Sequence, residues 1–166
     1  MKEQSVCFSG HRVLTKNEMT TLEEKLNAEL QGLIAAGMHH FFVGGALGFD
    51  TLAARCVLRF REKNENIRLI LVFPCREQTS GWNKRDVAAY EEIKRQCDSY
   101  IYLQEQYTRD CMFIRNRYLV DNSRCCVCFL KHTRGGTYYT VRYAERRGLS
   151  VINLAEQGGN AGSGNT

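Results

Sequence analysis

Short apolar segments and amphipathic segments alternate along almost the whole chain, and this alternation restricts the fold more than any other feature of the sequence. The apolar segments predict strands, and the segments with apolar residues three and four positions apart predict helices. Strands are predicted at 5–8, 39–45, 67–74, 99–103, 124–130 and 150–154. Helices are predicted at 16–36, 49–63, 85–96, 111–123 and 137–147.

The order of these elements predicts one α/β domain. A strand followed by a helix occurs five times, and a last strand closes the series. The third and fifth strands are nearly continuous apolar runs, which is typical of strands buried on both faces of a parallel sheet. We therefore predict a Rossmann-like, doubly wound, mostly parallel sheet with helices on both faces. The domain should span residues 1–155, and the composition of residues 156–166 predicts a flexible tail.

The eight cysteines of the chain point to a reducing compartment rather than to disulfides. Cys7, Cys56, Cys97 and Cys128 lie in or beside apolar segments, where a free cysteine packs as a small hydrophobic residue. Cys125 and Cys128 have a C-x-x-C spacing, but a zinc site needs further ligands nearby, so we expect no metal. The polar N-terminal segment does not resemble a secretory signal, and no apolar run approaches the length of a membrane span. We predict a cytoplasmic protein.

The loop after the first strand is a candidate ligand-binding segment, because open parallel sheets bind ligands at the carboxyl ends of their strands. Its sequence is SGHR. Gly10 permits a tight turn, and Ser9, His11 and Arg12 offer hydrogen-bond donors for a phosphate or a ribose hydroxyl. A capped turn with surface charges is the alternative interpretation.

The loop after the second strand, GGALGFD, is the second candidate. Gly44 and Gly45 would let backbone amides approach an anion, and the following helix would add its positive N-terminus. The glycine spacing fits neither the dinucleotide fingerprint nor a P-loop. Asp50 would accept a hydrogen bond from a ribose hydroxyl, or would only complement the helix dipole.

The loop after the fifth strand is the third candidate. Gly135 and Gly136 precede a predicted helix, and Thr137 can cap that helix and donate to a phosphate. Glycine pairs at two strand-to-helix joints of one sheet should open on the same edge. We expect them to contact one ligand.

Three residues outside these loops are further candidates. Arg115 and Asn116 lie in the first turns of the fourth helix, where Arg115 would reach a phosphate or pack its stem on the surface. Trp82 is the single tryptophan and lies in a polar loop. It would either cover a base by stacking or anchor the loop on the domain.

Taken together, the motifs resemble the YpsA-like branch of the SLOG superfamily. The matching stretches are SGHR at 9–12, GGALGFD at 44–50, MFIRN at 112–116 and GGTYYTV at 135–141. The resemblance implies a Rossmann-like domain that binds nucleotides or nucleotide-derived ligands, in bacterial proteins linked to cell division and stress. We therefore expect a sensor-like domain with a nucleotide or nucleotide-sugar partner and no cofactor.

The resemblance extends to the LOG phosphoribohydrolases, which cleave the N-glycosidic bond of nucleoside monophosphates with an arginine and a glutamate. Arg115 matches the arginine, but Thr140 stands in the place of the glutamate. N-glycosidic cleavage passes through an oxocarbenium-like state that a carboxylate stabilises. Loss of that group should slow the reaction by on the order of 10²- to 10⁴-fold. Hydrolysis with Asp50 as the acid stays as the alternative function.

The stretch GGALGFD also resembles the glycine motif of a second relative, the DNA-processing protein DprA. That similarity implies binding of single-stranded DNA. Such binding needs clustered cations with interleaved aromatic residues, whereas the cations here are scattered and the net charge is +5. We therefore do not expect a nucleic-acid partner. The sequence contains no apolar patch that decides between a monomer and a homo-oligomer.

Overall fold

The computed structural model of the protein describes residues 1–155, which form one six-stranded sheet in the order β4-β3-β2-β1-β5-β6. All five strand pairings are parallel. The strands are β1 (Ser5–Gly10), β2 (His40–Val43), β3 (Arg68–Phe73), β4 (Ser99–Tyr102), β5 (Cys125–Phe129) and β6 (Ser150–Asn153). The helices are α1 (Lys16–Ala35), α2 (Phe49–Arg61), α3 (Lys84–Gln96), α4 (Cys111–Asp121) and α5 (Gly136–Arg146), after a short 3₁₀ turn at Lys2–Gln4.

This architecture confirms the predicted fold class and each predicted element. The first helix illustrates why the local sequence was enough to predict these elements. Thr15 and Glu18 form the reciprocal capping box, with the Glu18 amide donating to the Thr15 hydroxyl at 3.1 Å. Leu22, Leu26 and Leu30 follow at helical spacing and are buried. The predicted tail at 156–166 lies outside the described residues.

Two hydrophobic cores cover the two faces of the sheet. The first core joins α1, α2 and α3 to one face, with Val6 and Phe8 of β1 among its residues. The second core joins α4 and α5 to the other face, where Cys7 of β1 packs with Cys126 and Cys128 of β5. Because neighbouring residues of a strand point to opposite faces, both faces must be apolar, as the continuous runs predicted.

The cysteines are free thiols, and all except the half-buried Cys97 are buried. Cys7 and Cys126 are paired in register between β1 and β5. Hydrogen bonding with Cys7 and burial raise the pKa of the Cys126 thiol well above its usual range, so this thiol stays protonated and unreactive. Within residues 1–155 no group of three His, Cys, Asp or Glu side chains is placed to hold a metal ion. No helix in this range is long and apolar enough to cross a membrane.

The strand order places a topological switch point between β1 and β5. The chain proceeds from β1 through β2 and β3 to β4 at one edge, and then returns to β5 on the other side of β1. The connections leaving β1 and β5 therefore diverge to opposite faces, which opens a crevice at their carboxyl ends. The loops that were predicted to bind a ligand leave the sheet at this edge.

Candidate functional site

A cleft of about 300 Å³ lies at the switch point and is lined by four segments that are distant in sequence. These are the end of β1, the loop before α2, the inner face of α4 and the start of α5. Its volume is at the small end of the range for pockets that hold small organic ligands. The predicted site residues that line it are Ser9, Gly10, His11, Arg12, Asp50, Arg115, Asn116, Gly136 and Thr137.

Arg115 forms one wall of the cleft and is 4% exposed. Its Nε donates to Oδ1 of Asn116 at 2.8 Å, one Nη donates to the carbonyl of Gly44, and the other lies 3.7 Å from the sulfur of Met112. Burial lowers the pKa of Arg115, and the nearby charge of Asp50 opposes this shift. A guanidinium remains protonated even so, and the cleft therefore contains a fixed, poorly solvated positive charge.

Gly44 and Gly45 serve the packing of the protein, and neither lines the cleft. A Cβ on Gly44 would lie 2.5 Å from an Nη of Arg115, so only glycine leaves room for the guanidinium. Gly45 has φ +74°, and a Cβ there would lie 2.6 Å from the ring of Phe73. We predicted that the amides of these glycines contact an anion. That contact stays a prediction; the structure shows in addition that both glycines leave room for side chains that the sequence does not mark as their neighbours.

Gly135 and Gly136 differ from the first glycine pair because a Cβ on either would meet no atom within 4 Å. Gly136 is the first residue of α5, and Gly135 is its N-cap, with φ +92°. No side chain of residues 1–155 caps this helix end. Gly136 and Thr137 line the cleft, so the partly positive N-terminus of α5 faces the same space as Arg115.

Asp50 is the one acidic residue among the described residues that line the cleft. It is the second residue of α2 and is 6% exposed. Its Oδ2 accepts a hydrogen bond from the amide of Ala46 at 3.1 Å. Burial raises the pKa of Asp50, while the charge of Arg115 and the Ala46 amide lower it. The site thus places a carboxyl group and a guanidinium in the same low-dielectric cleft.

His11 connects the end of β1 to the loop that leads to α5. Its Nε2 accepts a hydrogen bond from the backbone amide of Lys131 at 2.9 Å, so the neutral ring carries its proton on Nδ1. The ring packs edge-on against Phe129 at 5.6 Å and lies 5.2 Å from the ring of His132. Burial lowers the pKa of His11, and the charges of His132 and Lys131 lower it further. His11 therefore positions the glycine loop in addition to lining the cleft.

Trp82 and Thr140, two further residues that the sequence analysis named, also lie outside the cleft wall. Trp82 packs perpendicular to Tyr90 at 5.7 Å and lines a small cavity of about 20 Å³ that shares Ala46 and Asp50 with the cleft. Thr140, at the position of the LOG glutamate, is 1% exposed. Its hydroxyl donates to the carbonyl of Gly136 at 2.8 Å, so its one proton is used within α5.

Sequence reasoning missed Gln78, which supports the wall behind Arg115. Gln78 is 8% exposed, and its amide nitrogen lies 3.4 Å from the Gly44 carbonyl, the same oxygen to which Arg115 donates. Its Oε1 has no hydrogen-bond partner in residues 1–155. No signal near Gln78 in the sequence marks it, because its partner Gly44 lies 34 residues away. Met112 and Ala46 also line the cleft, and both belong to motifs that the sequence did indicate.

The fold and the cleft together define the class of the protein: a Rossmann-like α/β domain with a positively charged cleft at its topological switch point. The YpsA family model, described as the YspA SLOG family, matches residues 12–150. The chain belongs to this family, as the sequence motifs predicted.

The chain is similar to several bacterial proteins. The chain is 28% identical over 141 residues to the uncharacterized SPbeta prophage-derived protein YoqJ of Bacillus subtilis, which covers 77% of this chain and 82% of that protein. It is 24% identical over 132 residues to the UPF0398 protein BH1768 of Halalkalibacterium halodurans, covering 78% of this chain and 70% of the relative.

Solved structures share the fold at low sequence identity. DNA processing protein A (DprA) from Streptococcus pneumoniae superimposes with a TM-score of 0.64 at 19% identity, over 90% of this chain and 50% of that one. DprA from Helicobacter pylori, studied for its single-stranded DNA binding mode, superimposes with a TM-score of 0.62 at 17% identity, over 90% of this chain and 64% of that one. A third structure, TM1055, superimposes with a TM-score of 0.59 at 16% identity, over 89% of this chain and 72% of that one. The chain thus spans half of one DprA and less than two thirds of the other, and these similarities show the fold alone.

Proposed function

We propose that the cleft binds a nucleotide or a nucleotide-derived ligand and that the protein acts as a cytoplasmic, sensor-like binding domain. The observation that carries this proposal is that Arg115 and the uncapped N-terminus of α5 line the same cleft. A buried guanidinium and free helix amides both favour an anion, and together they form a site for a phosphate group. The eight free thiols are consistent with a reducing cytoplasm.

The remaining cleft residues divide into groups for the phosphate and groups for the sugar. The hydroxyl of Thr137 and the first amides of α5 would bind the phosphate together with Arg115. Asp50 would accept hydrogen bonds from ribose hydroxyls, and the hydroxyl of Ser9 would accept or donate such bonds. Arg12 and His11 are at the same end of β1 and add donors beside the anion. The open space above Gly136 is what allows an oxygen to approach its amide.

The test compares binding of nucleosides, nucleoside monophosphates and nucleotide sugars by calorimetry and thermal shift. We expect phosphorylated ligands to raise the melting temperature and nucleosides to have little effect. Gly136→Ala places a methyl group in the cleft, and we expect it to weaken binding by about 10-fold or more. Gly32→Ala is the matched control, because Gly32 is also a helical glycine at which an added Cβ would meet no atom within 4 Å. Neither variant should be less stable than the unsubstituted protein, and Gly32→Ala should be slightly more stable because alanine is the better helix residue. If no phosphorylated ligand binds at millimolar concentration, the proposal fails.

Asp50 favours a second candidate function, hydrolysis of the N-glycosidic bond of a nucleoside 5′-monophosphate. This carboxyl lines the cleft, and burial raises its pKa toward the range of a general acid. The binding proposal predicts no release of free base, because Thr140 supplies no carboxylate. Chromatography of each monophosphate after incubation distinguishes the two functions. Free base that appears with the unsubstituted protein and disappears with Asp50→Asn would establish the hydrolase.

Similarity to DprA makes single-stranded DNA a third ligand to test. We expect no tight oligonucleotide binding, because the positive charges that line the cleft are few and Asp50 lies among them. Fluorescence anisotropy with a labelled oligonucleotide at about 50 mM and 200 mM salt measures this directly, since binding through phosphates weakens steeply with salt. Tight and strongly salt-dependent binding would replace the small-molecule proposal.

A further inference from the structure

The cleft lacks the aromatic side chains that usually hold a nucleobase. Pockets for flat organic ligands are lined mainly by apolar and aromatic groups, with a few polar groups that fix the orientation. The aromatic residues among the described residues of the cleft wall are Phe8 and His11. Phe8 is 1% exposed, and the ring of His11 already packs against Phe129 and His132. Neither ring presents a free platform on which a base would stack.

The cleft also lacks a free amide side chain that would read the edge of a base. Asparagine and glutamine recognise a base by pairing one donor and one acceptor with it. Asn116 lines the cleft, but its Oδ1 accepts a hydrogen bond from Nε of Arg115 at 2.8 Å. This bond turns the amide toward Arg115, so Asn116 cannot present both of its polar atoms to a base. Gln78 lies in the wall behind Gly44 and does not line the cleft.

The size of the cleft leads to the same conclusion. Its volume of about 300 Å³ is at the lower limit for pockets that hold small organic ligands. Arg115, Thr137, Ser9 and Asp50 surround this space, which suits a phosphorylated pentose rather than a pentose with a base attached. The adjoining cavity beside Trp82 is about 20 Å³, far too small for a base.

We propose that the cleft recognises a phosphorylated sugar and leaves the base in solvent. This inference rests on the proposed function and narrows its ligand class to the ribose 5-phosphate unit, which ribonucleoside 5′-monophosphates contain and which also exists as a free sugar phosphate. Oδ2 of Asp50 already holds the Ala46 amide, which leaves Oδ1 for a ring hydroxyl. Arg12 is exposed beside the cleft, and its guanidinium would stack on any base alike, since every base has a π-face.

Calorimetry on the full chain tests this proposal with ribose 5-phosphate, the common ribonucleoside 5′-monophosphates, adenosine and inorganic phosphate. We expect the dissociation constants of ribose 5-phosphate and of every nucleotide to agree within about 3-fold. Adenosine should bind about 100-fold more weakly or worse, because it lacks the phosphate. Inorganic phosphate should bind about 10-fold more weakly or worse, because it lacks the hydroxyls that meet Ser9 and Asp50.

Ser9→Ala separates recognition of the sugar from recognition of the phosphate. It should weaken every sugar phosphate by the same factor, about 3- to 10-fold, and leave inorganic phosphate unchanged. Ser5→Ala is the matched control, because Ser5 is a buried serine at the other end of β1, where its hydroxyl donates to the carbonyl of Met1 at 2.7 Å. Trp82→Phe keeps a ring beside Tyr90. Neither Ser5→Ala nor Trp82→Phe should change any of these affinities.

Three outcomes would overturn the inference. One is a nucleotide that binds about 10-fold or more tightly than ribose 5-phosphate, and loss of that advantage in Trp82→Phe would assign the base to Trp82. Another is inorganic phosphate that binds as tightly as ribose 5-phosphate, which would reduce the cleft to an anion site. The third is a protein that binds no sugar phosphate at all, in which case the proposed function fails as well. Ribose 5-phosphate that binds while no nucleotide does would support the sugar-phosphate class and refute the nucleotide ligand.

Discussion

Replacement of Gly44 by alanine is the sharpest test of how the cleft is built. The backbone at Gly44 has no positive φ, so alanine can adopt it without strain. The added Cβ, however, would lie 2.5 Å from an Nη and 2.7 Å from Cζ of Arg115. Favourable contacts between such atoms are about 3.5–4.0 Å, so the guanidinium must move by roughly 1 Å. It cannot do so and keep its hydrogen bond to the Gly44 carbonyl.

Two energetic terms add in this variant. Loss of a hydrogen bond to a charged group destabilises a protein by about 1.5–3 kcal/mol, and overpacking adds about 1–3 kcal/mol. Partial relaxation leaves an expected decrease of about 3 kcal/mol in the free energy of unfolding. For a domain of this size, that corresponds to a melting temperature lower by roughly 6–12 °C. Nucleotide affinity should fall as well, since Arg115 leaves its position in the cleft.

The assay is denaturant and thermal unfolding, with Trp82 fluorescence and circular dichroism as probes. Gly32→Ala is the control, and it should raise stability slightly because alanine is the better helix residue. A second control is Gly44→Ala combined with Arg115→Ala. If the clash with the guanidinium is the cause, Gly44→Ala should change stability little in that background. A Gly44→Ala variant that melts within about 1 °C of the unsubstituted protein and binds ligand normally would refute the reasoning.

Three further predictions concern single groups of the cleft. The lowered pKa of His11 means that the unfolded chain binds more protons below about pH 6.5, so stability should fall as pH drops through that range. His11→Gln should flatten this slope in unfolding curves from about pH 5 to 7.5; an unchanged slope would contradict the prediction. The raised pKa of Asp50 has the opposite sign, and its ionisation should destabilise the fold as pH rises above about 4. Asp50→Asn should therefore be more stable than the unsubstituted protein at about pH 7, by a margin that shrinks on acidification, and equal stabilities across the titration would disprove this. Thr137→Ala should weaken the binding of phosphate-bearing ligands by about 5- to 10-fold. It should not lower the melting temperature, because no side chain in the described part of the chain caps α5. Calorimetry measures the change in affinity, and thermal unfolding measures the melting temperature.

Much of the candidate site followed from local sequence because strand-to-helix loops of a parallel sheet share one edge. The motifs SGHR, MFIRN and GGTYYTV each contributed residues that line the cleft. Asp50 reached the cleft for the same reason, since it lies at the start of the helix that follows β2. The prediction needed only the order of the elements and the rule that ligands bind at the carboxyl ends of the strands.

The two glycine pairs show what the local sequence could not predict, which is the space around each glycine. In the sequence they look alike, since each precedes a helix and each suggests an approach by backbone amides. Gly136 has open space above it, whereas the space above Gly44 is filled by the side chain of Arg115, 71 residues away. Trp82 shows the same limit, because whether it covers a ligand or anchors a loop depends on Tyr90 and the core beneath it.

The sequence by itself determined the α/β alternation, the two-sided burial of the sheet and the edge at which a ligand would bind. These properties depend on apolar periodicity and on residues within one turn or one strand of each other, which the order of the letters records. Tertiary structure decided which glycine accommodates an internal side chain and which faces the cleft. It also decided that Asp50 shares a buried cleft with Arg115. The physical reason is that steric exclusion and desolvation depend on which atoms occupy the neighbouring space, and those atoms come from segments that only the folded chain brings together.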